Sequence, residues 1–177
     1  DGSPLTREQA ERQAEAQPLV EIYQHKGESE CRLGAGTNDE LCTFEQLPYD
    51  TMMGVQRASA RREPAPNNFA REIWGEGLAV HARTGANPFA MGVIASTDTH
   101  LGTPGYVDET RHVGHGGAGP PVTELPPGLP DNVEFSPGGL AVVWAEENSR
   151  EALFAGLRRR ETYGTSGPRM EVRLFGG

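Results

Sequence analysis

Ser96-Thr97-Asp98-Thr99-His100 sets a carboxylate and an imidazole two residues apart, directly after the apolar run Met91–Ser96. In an extended segment the side chains at i and i+2 leave the backbone on the same side. Asp98 and His100 are therefore expected to project together from the C-terminal end of a strand, the edge where α/β folds bind ligands. A carboxylate and an imidazole aimed at one point suit a divalent cation, zinc or manganese in the first place and iron as an alternative. A second constellation, His25-Lys26-Gly27-Glu28-Ser29-Glu30, follows the strand-like Leu19–Tyr23 run in the same way. There His25 is a candidate ligand together with Glu28 or Glu30. The competing reading of both segments is a set of polar loop side chains that cap turns or face solvent.

Other polar residues carry weaker signals. His115, and less so His112, lie in the stretch VGHGGAGP, where flanking glycines would let an imidazole approach a ligand closely. His81 falls on the apolar stripe of a helix and reads as a packed, hydrogen-bonded histidine. Gly114 to Gly119 matches G-x-G-x-x-G, but Pro120-Pro121 follows where a dinucleotide site needs a helix, so that motif is rejected. Ser166 lacks the G-x-S-x-G setting of a nucleophile. Arg158, Arg159 and Arg160 complement a helix C-terminus. Arg169 could clamp an anion or could simply be a surface arginine. Cys31 and Cys42 are spaced too widely for a C-x2-4-C zinc half-site; they either close a disulfide around their Gly-rich loop or remain two thiols.

The elements that must position these groups follow from pattern. Thr6 to Ala16 lacks Gly and Pro and reads as an exposed helix ended by Pro18. Leu19 to Tyr23 reads as a strand, and a short helix is expected near Met52 to Arg61. A helix from Asn68 to Thr84, capped by Asn67 or Asn68, carries Ala70, Ile73, Trp74, Gly77 and Leu78 at helical spacing, with Gly85 as its C′ residue. Met91–Ser96 and Leu140–Ala145 read as buried strands, separated by a Gly/Pro-rich loop from Thr103 to Pro137. Asn148 and Glu151 form an expected capping box for a helix to Glu161, with Leu153, Phe154 and Leu157 turned inward. Met170 to Phe175 is the last expected strand. The order predicts a single α/β domain over residues 1–177.

Bulk composition bounds the rest. A content of 23 Gly and 14 Pro in 177 residues implies much loop, as a loop-built site requires. The net charge of −9 argues against a nucleic-acid-binding face. No apolar run approaches the roughly 18 residues of a membrane span. The protein is expected to be soluble, cytoplasmic or periplasmic. The start at Asp1 and the stop at Leu174-Phe175-Gly176-Gly177 suggest a part of something longer.

The runs VEIYQHKGESEC, NPFAMGVIASTDTH and GGLAVVWAEENSREALFAGLRRRETYGTSGPRMEVRLFGG, in this order, resemble the uncharacterised bacterial domain-of-unknown-function family 3604, over about Leu19 to Gly177. That family is in turn similar to metallohydrolases of the polymerase-and-histidinol-phosphatase (PHP) type. The resemblance implies an incomplete or distorted (β/α) barrel of PHP or amidohydrolase type, with two or three divalent cations at its C-terminal edge. Asp98 and His100 match the late D-x-H ligands of that type, and His25 and Glu28 match its middle ligands. The early H-x-H does not occur in this sequence, so the chain is expected to be the C-terminal part of a longer metallohydrolase, one that lacks ligands the intact site would use for activity. The implied chemistry is hydrolysis by a water whose pKa the cations lower to about 7, with His115 protonating the leaving group and Arg169 holding a small anionic or ester substrate. Phosphoester cleavage is the preferred class. Amide or ester hydrolysis on the same scaffold is an alternative, and a non-catalytic binding or structural module is another. Self-association through exposed apolar edges is also expected.

Overall fold

The computed structural model describes residues 3–25, 27–44, 46, 67–99, 102, 104–111 and 136–176. The expected helix near Met52 to Arg61 lies outside them. Helix α1 (Arg7–Ala16) starts at Thr6, whose hydroxyl accepts from the Gln9 amide while the Gln9 side chain accepts from the Thr6 amide. This reciprocal cap satisfies two amides that the first turn leaves over. The helix presents Ala10 to a small core with Val80 and Ala86.

Strand β1 (Leu19–Gln24) turns through Gly27 into the two-residue antiparallel β2 (Gly27–Glu28). Its other neighbour is β3 (Gly92–Ala95), parallel, in the register Leu19 with Gly92 to Tyr23 with Ala95. Parallel neighbours require a crossover, and α2 (Ala70–Thr84) lies on it. Neither Asn67 nor Asn68 caps that helix; Phe69 occupies the cap position. Its first amides, those of Ala70 and Arg71, donate instead to the carbonyls of Ser29 and Glu30 at 3.1 and 2.9 Å. The β2 exit is thereby pinned to the helix start. Gly85 ends α2 in the left-handed conformation, as its position predicts. The buried face of the helix is Ala70, Gly77 and Val80, whereas Leu78 and His81 face outward. The expected packing of His81 is therefore not observed: the inward stripe continues through Val80 and not through Leu78.

A second ladder pairs β4 (Leu140–Val143) with β5 (Thr162–Thr165), antiparallel, around α3 (Arg150–Arg159). Ser149, not Asn148, caps α3, its hydroxyl accepting from the Ala152 amide at 3.2 Å. Gly156 is the buried position of the helix, and Phe154 points to solvent at 63% exposure. The expected strand Met170–Phe175 is not one. That segment is held by side chains: the Tyr163 hydroxyl donates to Met170 O and accepts from the Val172 amide, and Trp144 Nε1 donates to Val172 O. The strand partner of β4 is the Thr-Tyr-Gly-Thr stretch preceding it.

Gly164 lets β5 lie along β3, since a Cβ there would come within 2.8 Å of Ala95 Cβ. Arg160, ahead of β5, lies against Gly92 at the start of β3. Starts therefore meet starts and ends meet ends, so β1, β3 and β5 all run in one sense. Among the described residues the strands form these two sheets, ordered β2-β1-β3 and β4-β5, without a closed barrel.

Candidate functional site

Three strand ends share one edge. His25 follows β1 directly and is buried, with 3% of its surface exposed. Its Nδ1 lies 3.2 Å from the carbonyl oxygen of Thr97 and 3.6 Å from Asp98 Oδ2, both just past β3. A carbonyl can only accept, so Nδ1 carries the proton and donates to Thr97 O. In the neutral ring the lone pair is then on Nε2. A backbone partner fixing the tautomer in this way is what a metal-ligating histidine requires.

Asp98 is one of the few residues other than glycine with positive φ, at 51°. The chain turns there: Ser96 Oγ accepts from the Asp98 amide at 3.2 Å, and Thr97 Oγ1 accepts from the Thr99 amide at 3.3 Å. The Ser96 hydroxyl in turn donates to the Glu21 carboxylate on β1. The expectation that Asp98 and His100 leave an extended segment on the same side rested on a straight backbone, and the left-handed residue removes that premise. What positions Asp98 is the turn. Left-handed conformations at residues other than glycine cost free energy and concentrate at functional sites.

The segment Ser136–Gly139, returning into β4, crosses this edge. The Ser136 amide donates to His25 O at 3.0 Å, and the Gly139 amide donates to Ser96 O at 2.7 Å. The Ser136 hydroxyl accepts from the Tyr23 hydroxyl at 3.1 Å. Gly138, at φ 84°, sits so close that a Cβ would lie 2.6 Å from Thr97 Cα and 2.7 Å from Ser96 O. The strap thus ties the ends of β1 and β3 to each other through backbone contacts that no larger residue permits.

Glu28 is held elsewhere. Only 8% exposed, its carboxylate accepts from the amides of Glu30 and Cys31 at 2.6 and 3.1 Å and from Gln46 Nε2 at 3.1 Å. Burial pushes its pKa up, against the lowering effect of those donors. Cys31 and Cys42 form a disulfide that closes this loop, which settles the pairing that their spacing leaves open. Arg71, at the start of α2, bonds Glu30 Oε1 through Nε and Nη2 and Asp39 Oδ2 through Nη1. That guanidinium holds the Asp39 carboxyl below the usual carboxylate range.

Of the residues singled out in the sequence, His25 and Asp98 come together. Glu28 does not join them, and among the described residues no group of three or more His, Cys, Asp or Glu side chains converges as a cation cage. His100, His112 and His115 lie outside the described residues. Arg169 is exposed, two residues beyond Gly167, which packs beside Val107 and Gly138. Sequence reasoning missed Ser136, Gly138, Thr97 and Arg71. A Gly-Gly pair opening an apolar strand was the signal available for Gly138; the partners of Arg71 are 32 and 41 residues away and leave no local trace.

A family model described as "Protein of unknown function (DUF3604)" matches residues 1–177 of the chain. No curated protein and no solved structure matches it. No helix among the described residues is long and apolar enough to cross a membrane. The chain belongs to the DUF3604 family.

Proposed function

We propose, with that membership as the premise, that the shared end of β1 and β3 holds a divalent cation and that the family's reaction is metal-assisted hydrolysis of the PHP type, phosphoester cleavage being its class. One observation carries the reading: His25 Nδ1 stands 3.6 Å from Asp98 Oδ2 and 3.2 Å from the carbonyl oxygen of Thr97, a residue 72 positions along the chain. With Nδ1 protonated, a cation would bind His25 through Nε2, and the Asp98 carboxylate, now on the Nδ1 side, would reach it by rotation of its side chain; an imidazole and a carboxylate are donors that fit zinc, manganese or iron. His25, Asp98 and His100 would hold the cation, which when bound supplies Lewis acidity at the scissile bond. The chain's own residues do the positioning. Thr97 O orients the His25 ring, the Ser96 hydroxyl holds the turn that aims Asp98, and the Ser136–Gly139 strap keeps the two strand ends in register. His115 as proton donor to the leaving group, and Arg169 as the clamp for a small anionic substrate, complete the reading.

The fold that accompanies it is an incomplete or distorted (β/α) barrel, to which β1, β3 and β5 contribute three strands of one sense. The H-x-H pair implied by the resemblance is absent from these 177 residues, so metal binding, not turnover, is the property to test first. Manganese titration of metal-stripped protein, followed by the loss of the free-ion paramagnetic resonance signal, should show saturable binding that Asp98→Ala and His100→Ala each abolish while the circular dichroism spectrum is retained. Unchanged binding in a variant rules that side chain out as a ligand. A non-catalytic module is the second reading, favoured by the absence of a three-residue cage among the described residues; no saturable uptake of zinc, manganese or iron would select it.

A further inference from the structure

Tyr23, whose hydroxyl reaches the strap at Ser136, also lines a cleft of about 350 Å³. That volume falls within the range of small-molecule sites, roughly 300 to 1,000 Å³. The cleft runs between β1, the disulfide loop, the start of α2 and the end of β5. It has an apolar wall and a charged wall.

The apolar wall is Ile22, Leu41 and Phe44. Leu41 and Phe44 are 77% and 70% exposed, side by side on one wall of the cleft. Leu41 lies on the 3-10 turn Glu40–Thr43 and Phe44 follows as its C-cap, and the disulfide from Cys42 to Cys31 anchors that turn. The Phe44 amide closes the turn onto Leu41 O at 2.9 Å. Both side chains are thus presented by a fixed piece of backbone.

The charged wall is Glu28, Glu30 and Arg71. All three guanidinium nitrogens of Arg71 already donate to carboxylates of Glu30 and Asp39, at 2.6 to 2.8 Å. The charge of the guanidinium is therefore paired with the protein's own acids, which weakens its pull on an incoming anion. Two lining carboxylates against one lining guanidinium leave a local charge of −1, within a chain whose net charge is −9. An apolar face beside excess negative charge complements a cation on a hydrophobic body, and the exposed Phe44 ring adds a π face to which such a cation is drawn.

We propose that this cleft binds a small molecule with an aryl or alkyl body and a protonated amine or quaternary ammonium head. The site is separate from the His25–Asp98 pair and stands whether or not that pair holds a metal.

The test is an amide-resolved NMR titration of the full chain with phenethylamine and benzyltrimethylammonium, against phenylacetate and benzyl alcohol of matched size. Both cations should give saturable shifts at Leu41, Phe44 and Arg71, with the amides of Val20 and Val93 unmoved, and should bind about tenfold more tightly than phenylacetate. Phe44→Ala should weaken both cations by about tenfold. Glu30→Gln should narrow the preference for the cations over benzyl alcohol. Because Glu30→Gln also releases Arg71, Leu41→Ala serves as a second variant: it should weaken cations and alcohol alike while the rest of the spectrum is unchanged. Phenylacetate binding as tightly as the amines overturns the proposal. So do shifts that map away from the cleft, or the absence of saturable shifts with every probe.

Discussion

Replacing Gly138 by alanine asks whether the strap across β1 and β3 is as tight as it looks. At φ 84° an L residue is strained, a cost of about 1–2 kcal/mol. The added methyl would also lie 2.6 Å from Thr97 Cα, 2.7 Å from Ser96 O and 3.1 Å from His25 N. Backbone cannot rotate aside as a side-chain tip can, so a further cost of about 1–3 kcal/mol for overpacking applies. Alanine restricts the unfolded chain and returns about 0.4–1 kcal/mol. The expected net loss is about 1–4.5 kcal/mol, read from urea unfolding followed by the fluorescence of Trp74 and Trp144. Gly34 is the matched control, with φ 85° and no atom within 4 Å of an added Cβ. Gly34→Ala should lose only about 1 kcal/mol or less, the conformational part alone. If Gly138→Ala costs no more than Gly34→Ala, the backbone contact between strap and strand ends does not exist as described. Cation affinity should fall in Gly138→Ala as well, since the strap holds the backbone of His25 and Ser96.

Three further outcomes are expected. Reducing or replacing the Cys31–Cys42 bridge, which spans 11 residues, should cost about 3 kcal/mol by loop-closure entropy; an unchanged urea midpoint under reductant contradicts this. Glu28 has a raised pKa in the folded protein, so its neutral form favours folding. That contribution is full below the unfolded pKa of about 4.3 and is lost as pH rises through the folded value. Wild type should therefore lose stability relative to Glu28→Gln as pH rises across that window, and a flat difference refutes the assigned burial effect. Asp98→Gly removes a left-handed aspartate at φ 51° and should leave stability equal or higher, by about 1 kcal/mol at most, while metal uptake is lost. A strongly destabilised Asp98→Gly would make Asp98 a structural residue.

The positions of β1, β3 and β4 were legible because apolar runs of strand length leave few alternatives, and Gly85 marks the end of α2 by its conformation alone. The last strand was misplaced for a physical reason. Met170–Phe175 alternates like a strand, but Trp144 and Tyr163 hold its backbone through their side chains. Thr162–Thr165 was not singled out as a strand; it contains Gly164, the residue that lets β5 approach Ala95. On α2, Leu78 and Val80 are equally apolar, and only the packing of Ala10 and Ala86 selects Val80. At the site, the meeting of His25 with Asp98 followed from two strand ends at one edge. The turn at Asp98, the capture of Glu28 by backbone amides and the strap at Gly138 were not legible. Each depends on contacts that sequence spacing does not encode or on a conformation that an aspartate only rarely adopts.

Anomalous diffraction from crystals soaked in manganese tests the central claim most directly, because it locates the cation without reference to turnover. The account predicts a peak within bonding distance of both the His25 imidazole and the Asp98 carboxylate, at the common end of β1 and β3. A peak bonded to neither side chain, or none at saturating manganese, contradicts it.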